Sequence, residues 1–124
     1  MNKMFVIVSN GFVNADRVVD LEISEEDFRA LPTKEQEERV RDAAIEEMEI
    51  WVDINGPTVL VYVTLGLVGC DQCTETDYTP DQWEKLYPEE REEHIIEKAW
   101  ECVDYFEVAA KSEAALRKKY KGIH

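Results

Sequence analysis

Met4-Phe-Val-Ile-Val-Ser-Asn-Gly11-Phe-Val-Asn-Ala-Asp16 recurs, 55 positions later, as Val59-Leu-Val-Tyr-Val-Thr-Leu-Gly66-Leu-Val-Gly-Cys-Asp71. In both stretches an apolar run of strand length leads into a glycine, and an aspartate comes after it that can close an Asx-turn. The match extends outward without a gap, so that residues 4–54 lie on residues 59–109. Leu31 falls on Leu86, Ala44 on Ala99, Glu46 on Glu101, Phe28 on Trp83 and Trp51 on Phe106. About a fifth of the pairs are identical, and self-similarity at a fixed period of this size marks a repeated supersecondary unit.

Each copy reads alike. After the first strand and the glycine turn comes a second strand. In the first copy Val19, Leu21 and Ile23 alternate with Asp20 and Glu22, the period of a half-buried strand. The second copy is more polar there, with Thr74, Thr76 and Tyr78, as an edge strand would be. Ser24 and Thr79 are placed to cap a short helix carrying Phe28 or Trp83, and Pro80 suits its first position. A long helix then starts near Thr33, with Gln36 completing a capping box, and near Pro88 in the second copy. Asn55-Gly56-Pro57 breaks the first long helix, whereas the second is expected to run to about Lys121 and to end at Gly122. Val40, Ala44, Met48 and Trp51 form the expected buried stripe of one helix; Ile95, Ala99, Val103 and Phe106 form that of the other. The predicted class is α+β: two tandem ββα units forming an antiparallel sheet, with two long helices on one face and a C-terminal helical extension. The predicted boundaries are 1–56 for the first repeat, 57–110 for the second and 111–124 for the basic extension, all in one compact domain.

The chain has 124 residues, 44% hydrophobic and 34% charged, with a net charge of -14. No run approaches the ~20 apolar residues that span a bilayer. The first residues carry neither a long apolar segment nor a small-residue cleavage site, so a cytoplasmic protein is expected. Three cysteines, an odd number, argue against a complete disulfide framework. The negative charge argues against direct binding to nucleic acid or an anionic membrane, and favours basic partners.

Few residues point to a chemistry. Cys70 and Cys73 have C-x-x-C spacing and, with Cys102 and His94, contain zinc-ligand types. Their counterparts in the first copy are Ala15, Val18, Glu47 and Arg39, which hold no metal, so small semi-buried thiols and no metal or cofactor are the expected reading. Redox pairs of this spacing sit at helix N-termini, and this one falls at a strand-to-strand turn. Two histidines, His94 and His124, no nucleophile elbow and no phosphate loop leave catalysis little to work with, and no catalytic residue is expected. Of the aromatics Trp51, Trp83, Trp100, Tyr105 and Tyr87, most fall at helical spacing among apolar neighbours; Trp83 and Tyr87 are the least committed to a core and are candidate ligand-binding residues.

The most informative feature is an acidic stripe. Glu35, Glu38, Asp42, Glu46 and Glu49 recur every three or four residues, and 55 positions later stand Glu90, Glu93, Glu97, Glu101 and Asp104. At 1.5 Å rise per residue each row spans about 20 Å, with a charge every ~5 Å. That density is broadly like the phosphates of a nucleic-acid strand. The plain alternative is a solvated face that keeps a small protein soluble. The segment from Lys111 opposes the pattern with Lys111, Arg117, Lys118, Lys119 and Lys121 against Glu113. A basic end suits a helix C-terminus, or it lies across the acidic stripe of a second subunit.

The glycine-to-aspartate turns Gly11 to Asp16 and Gly66 to Asp71, the capped aromatic turns around Phe28 and Trp83 and the glutamate-rich helices after them resemble small acidic proteins of unknown function encoded by bacteriophages. The resemblance covers nearly the whole chain, once per copy, and departs from the usual single copy. It implies a phage accessory protein acting in the bacterial cytoplasm. The leading expectation is a non-enzymatic counter-defence protein that binds the basic nucleic-acid-binding surface of a host protein, such as a defence nuclease, through its acidic helix stripes. The alternatives are a sponge that sequesters a small nucleotide signal in an aromatic pocket, and a structural or assembly protein acting as a homodimer.

Overall fold

The computed structural model describes residues 1–12, 14–67 and 69–123; the Val13 and Val68 pair of the repeat and His124 lie outside them. The elements in chain order are β1 (Lys3–Ser9), β2 (Arg17–Ser24), α1 (Glu25–Ala30), α2 (Thr33–Glu46), β3 (Glu49–Asp53), β4 (Leu60–Thr64), β5 (Gln72–Glu75), α3 (Pro80–Glu84), α4 (Pro88–Cys102), β6 (Asp104–Ala110) and α5 (Glu113–Lys119). The chain is thus mixed α and β, with two three-stranded antiparallel sheets and five helices among the described residues.

The two sheets are ordered β2-β1-β6 and β3-β4-β5. Their registers repeat at the sequence offset. Val6 stands opposite Val19 and Ile7 opposite Phe106; correspondingly Val61 stands opposite Thr74 and Tyr62 opposite Trp51. The turns repeat as well. Gly11 and Gly66 have φ of 87° and 93°, and Asn14 and Gly69 have φ of 58° and 82°, values that glycine and asparagine tolerate best. The caps correspond, Ser24 accepting from the Asp27 N–H and Thr79 from the Gln82 N–H. Each sheet draws strands from both halves of the chain: β3 pairs with β4, and β6 returns to pair with β1.

That exchange corrects the expected helices and the single sheet. α2 ends at Glu46 and α4 at Cys102, and each gives way to a strand. Ile50, Trp51 and Val52, and Tyr105, Phe106 and Val108, are β-branched or aromatic, the residues that pack well on a pleated surface. Spacings of three and four link Val40, Ala44, Met48 and Trp51, but a period of two also sets Ile50 and Val52 against Glu49, Trp51 and Asp53, and pairing with an open strand edge decides for it. Val40, Ala44, Ala99 and Val103 are buried as expected; Trp51 and Phe106 are 42% and 46% exposed on strands. The C-terminal segment is not a continuation of α4. It is a separate helix after β6, capped by the Ser112 hydroxyl accepting from the Ala115 N–H.

β2 carries one irregularity. Its register to β1 slips between the Lys3–Ser24 and Phe5–Asp20 pairs, with Glu22 at φ 58°. Leu21 and Ile23 nevertheless reach the core from either side of it.

One core unites the halves. Met4, Val6 and Val8 of β1, Val63 of β4, Leu65, Phe28, Ala44 of α2 and Ala99 of α4 are mutually packed and buried. Alanine in the last turn of each helix lets the helices lie close to the sheets there. The other face of β1, with Phe5 and Ile7, is sealed by Leu116 of α5. Between the sheets, the Asn10 side-chain amide donates to the Cys70 carbonyl at 2.7 Å, and the Gln72 amide donates to the Asn10 carbonyl at 2.7 Å. Phe28 is fully buried, so Phe28→Ala is expected to lower the unfolding free energy by about 3–5 kcal/mol. Denaturant titration checks this.

Candidate functional site: acidic helix faces and an aromatic groove

α2 and α4 turn their apolar sides to the core through Val40, Ala43 and Ala44 and through Ala99, which leaves the acidic residues outside. Glu35, Glu38, Asp42 and Glu46 on α2, and Glu90, Glu93, Glu97 and Glu101 on α4, face the outside of the molecule; Glu35, Glu38, Asp42, Glu90, Glu93, Glu97 and Glu101 stand on the side away from the core stripe. The fifth members differ from expectation in their element. Glu49 opens β3 and Asp104 opens β6, both exposed but on strands, because the helices stop before them. Among the described residues, the only ion pair that touches these ten acids is Lys98–Glu101 at 3.4 Å. Glu90 also accepts the Tyr87 N–H at 3.2 Å, closing the N-terminus of α4.

The second row borders a groove of about 910 Å³ between α4 and the start of β6. Glu89, Glu92, Glu93, Glu97 and Asp104 wall it; Ile96, Trp100, Val103 and Tyr105 floor it. Arg41 reaches in from α2 and lies with its guanidinium 5.0 Å from the Trp100 ring centroid, while Trp100 and Tyr105 pack at 5.1 Å. The Trp100 indole N–H is buried without a partner. Carboxylate walls over an aromatic floor suit the side chain of an arginine or lysine, whose stem needs apolar contact and whose head needs negative charge. The sequence did not single out this groove. Trp100 and Tyr105 read as helical core, and only the strand that begins at Asp104 brings Tyr105 against Trp100.

The other candidates are placed apart. Trp83 is buried, packing on Tyr78 at 5.9 Å and His94 at 6.4 Å, and His94 Nε2 lies 3.0 Å from the Tyr78 hydroxyl. Tyr87 is 73% exposed at the N-cap of α4, whereas Trp83 packs inward. Cys73 is exposed on β5, Cys70 and Cys102 are half-buried, and all three are free thiols. Burial, then the charge of Glu101 and the nearby Cys73, pushes the Cys102 thiol up, which keeps it protonated at neutral pH. Among the described residues no group of three or more His, Cys, Asp or Glu is placed to hold a metal ion. Among the described residues no helix is long and apolar enough to cross a membrane.

Among the described residues one carboxylate, that of Asp20, is shifted. The hydrogen bond from Lys3 Nζ to Asp20, at 2.7 Å, leads the causes that hold the Asp20 carboxyl below its ordinary value; burial opposes it. A lowered folded-state pKa stabilises the fold above the unfolded value, and that contribution is lost as pH falls through the folded value. Both side chains are well exposed, so the pair contributes less than about 1 kcal/mol. Lys3→Ala is expected to return the Asp20 titration upward, as followed by carboxyl NMR shifts, with little change in stability at neutral pH.

Compared with known proteins, the chain matches no family model, no curated protein and no solved structure.

Proposed function

We propose that this is a non-enzymatic phage accessory protein of the counter-defence kind. It binds the basic nucleic-acid-binding surface of a host protein, such as a defence nuclease, in the bacterial cytoplasm. The observation that carries the reading is the pair of matched acid rows on α2 and α4, turned outward and almost free of ion pairs among the described residues. Like-charge neighbours four apart on a helix destabilise it by about 0.2–0.5 kcal/mol each. Solubility alone asks only for mixed charge, not for rows of one sign repeated at the same positions of both halves. The groove beside the second row supplies an apolar anchor in Ile96, Val103 and Tyr105, so that a partner's arginine or lysine meets carboxylates and apolar surface together. In this reading residues 1–56 and 57–110 are two copies of one unit built on a ββα core, each presenting the same row of negative charge.

The test is a pull-down from the bacterial host with the wild type and a charge-reversed variant in parallel, followed by competition with duplex DNA. A basic protein retained by the wild type only, and released by DNA, is expected. Retention of the same proteins by both baits would overturn the proposal.

A further inference from the structure

The two sheets are equivalent in register but not in cover. On the first, α5 lies across the outer face: Leu116 seals Phe5 and Ile7, and Tyr120 packs on Phe106 at 6.0 Å. The tail then enters the turn of that half. The Asp16 N–H donates to the Gly122 carbonyl at 3.0 Å, Asp16 bridges to Ile123, and a β-carbon on Gly122 would stand 3.1 Å from the Asp16 carboxylate. Lys121 and Gly122 border the cavity there with Gly11 and Asn14.

The corresponding face of the second sheet carries larger aromatics and, among the described residues, no covering helix. Trp51 and Tyr62 stack at 5.4 Å with their planes 3° apart, and Trp51 is 42% exposed. The turn beside them encloses about 280 Å³ between Glu49, Trp51, Gly66, Gly69 and Asp71, with no described chain segment where Lys121 and Gly122 stand in the first half. The surrounding charge is retained: Asp16, Asp20 and Asp104 around the covered face correspond to Asp71, Glu75 and Glu49 around the open one, and Asp53 adds a fourth acid. Glu75 takes a neutral hydrogen bond from Thr58, whereas Asp20 is met by Lys3.

We propose that the open face of β3, β4 and β5, centred on Trp51 and Tyr62, is the docking site for a basic amphipathic helix of a partner protein, seated as α5 is seated on the first sheet. The fold itself displays the occupant: a short helix carrying a leucine, with a tyrosine at its C-cap four residues on and arginine and lysine between them. The acid rim supplies the matching charge. A second copy of this chain is a poor occupant. Lending its α5 would expose its own Phe5 and Ile7, and two chains of charge -14 repel. The site lies on strands and shares only Glu49 with the ten acids of the two rows, none of the helical ones.

The experiment uses the full chain and a fluorescent peptide of the sequence of residues 112–123, SEAALRKKYKGI, read by anisotropy and by NMR shift mapping. Saturable one-to-one binding with shifts at Trp51 and Tyr62 is expected. Trp51→Ala should weaken it about thirtyfold, the effect of truncating an aromatic anchor. Asp53→Lys with Glu75→Lys should weaken it about tenfold while leaving every aromatic in place. A variant reversed on α2 and α4 should bind the peptide through the Trp51 face, which separates this site from the one proposed above. Absence of saturable binding, unchanged affinity in the Trp51 variant, shifts confined to Phe5 and Leu116 through displacement of α5, or self-association of the chain through this face would each overturn the proposal.

Discussion

Removing residues from Asp104 onward is expected to abolish folding, although more than four-fifths of the chain would remain. The deletion takes β6 from β1, and with it a ladder that runs the length of β1 from Lys3–Ala110 to Ser9–Asp104. It also strips Leu116 from Phe5 and Ile7. Each such buried side chain is worth about 1.5–3 kcal/mol, and three of them approach a total stability of about 5–15 kcal/mol. The companion result is less intuitive. Residues 1–56 and 57–124, produced as separate chains in one cell, should co-purify in equal amounts, since β3 of one completes the sheet of the other and β6 does the reverse. Circular dichroism and size-exclusion chromatography read both results. Two independently folded, separable halves would contradict the exchanged strands.

Much of the fold was legible in the residues, and the gaps have identifiable causes. The offset that places Gly11 on Gly66 is the offset at which strand registers and backbone turns repeat, because positive φ values at those turns constrain the residue type. The caps at Ser24 and Thr79 were readable because a hydroxyl three residues before an unpaired N–H is a local signal. The third strand of each half was not. Glu49 to Asp53 satisfies two periods at once, and the deciding interaction is with β4, a partner that no local window contains. The same blind spot hid the groove. Trp100 and Tyr105 are near in sequence but on different elements, and their meeting depends on where α4 ends. The acid rows on the helices needed only helical spacing, so eight of the ten positions lie where the spacing put them.

Reversing Asp42, Glu46, Glu97 and Glu101 to lysine is expected to remove binding to the basic partner by a thousandfold or more, about 4 kcal/mol, because four attractive contacts become repulsive. Folding should survive. All four side chains lie outside the core, and reversing both members of the Asp42–Glu46 and Glu97–Glu101 pairs exchanges one like-charge pair for another, with no net change within them. After reversal, the new lysines at positions 42 and 97 face Glu38 and Glu93 one turn before them, the favourable order on a helix. The change gives up the Lys98–Glu101 ion pair and the hydrogen bond from Thr74 to Glu101 at 3.3 Å, both on the surface and of small weight. Wild-type binding should also be fast and should weaken steeply with salt, since the Debye length is about 8 Å at physiological ionic strength.

The decisive measurement is a calorimetric titration of the retained partner with the wild type and the four-lysine variant, both shown to be folded by circular dichroism, at low and at physiological salt. Salt-sensitive binding by the wild type and no measurable heat from the variant are predicted. Wild-type affinity in the variant, or affinity indifferent to salt, would contradict the proposed role and would leave the acid rows as a solvated face.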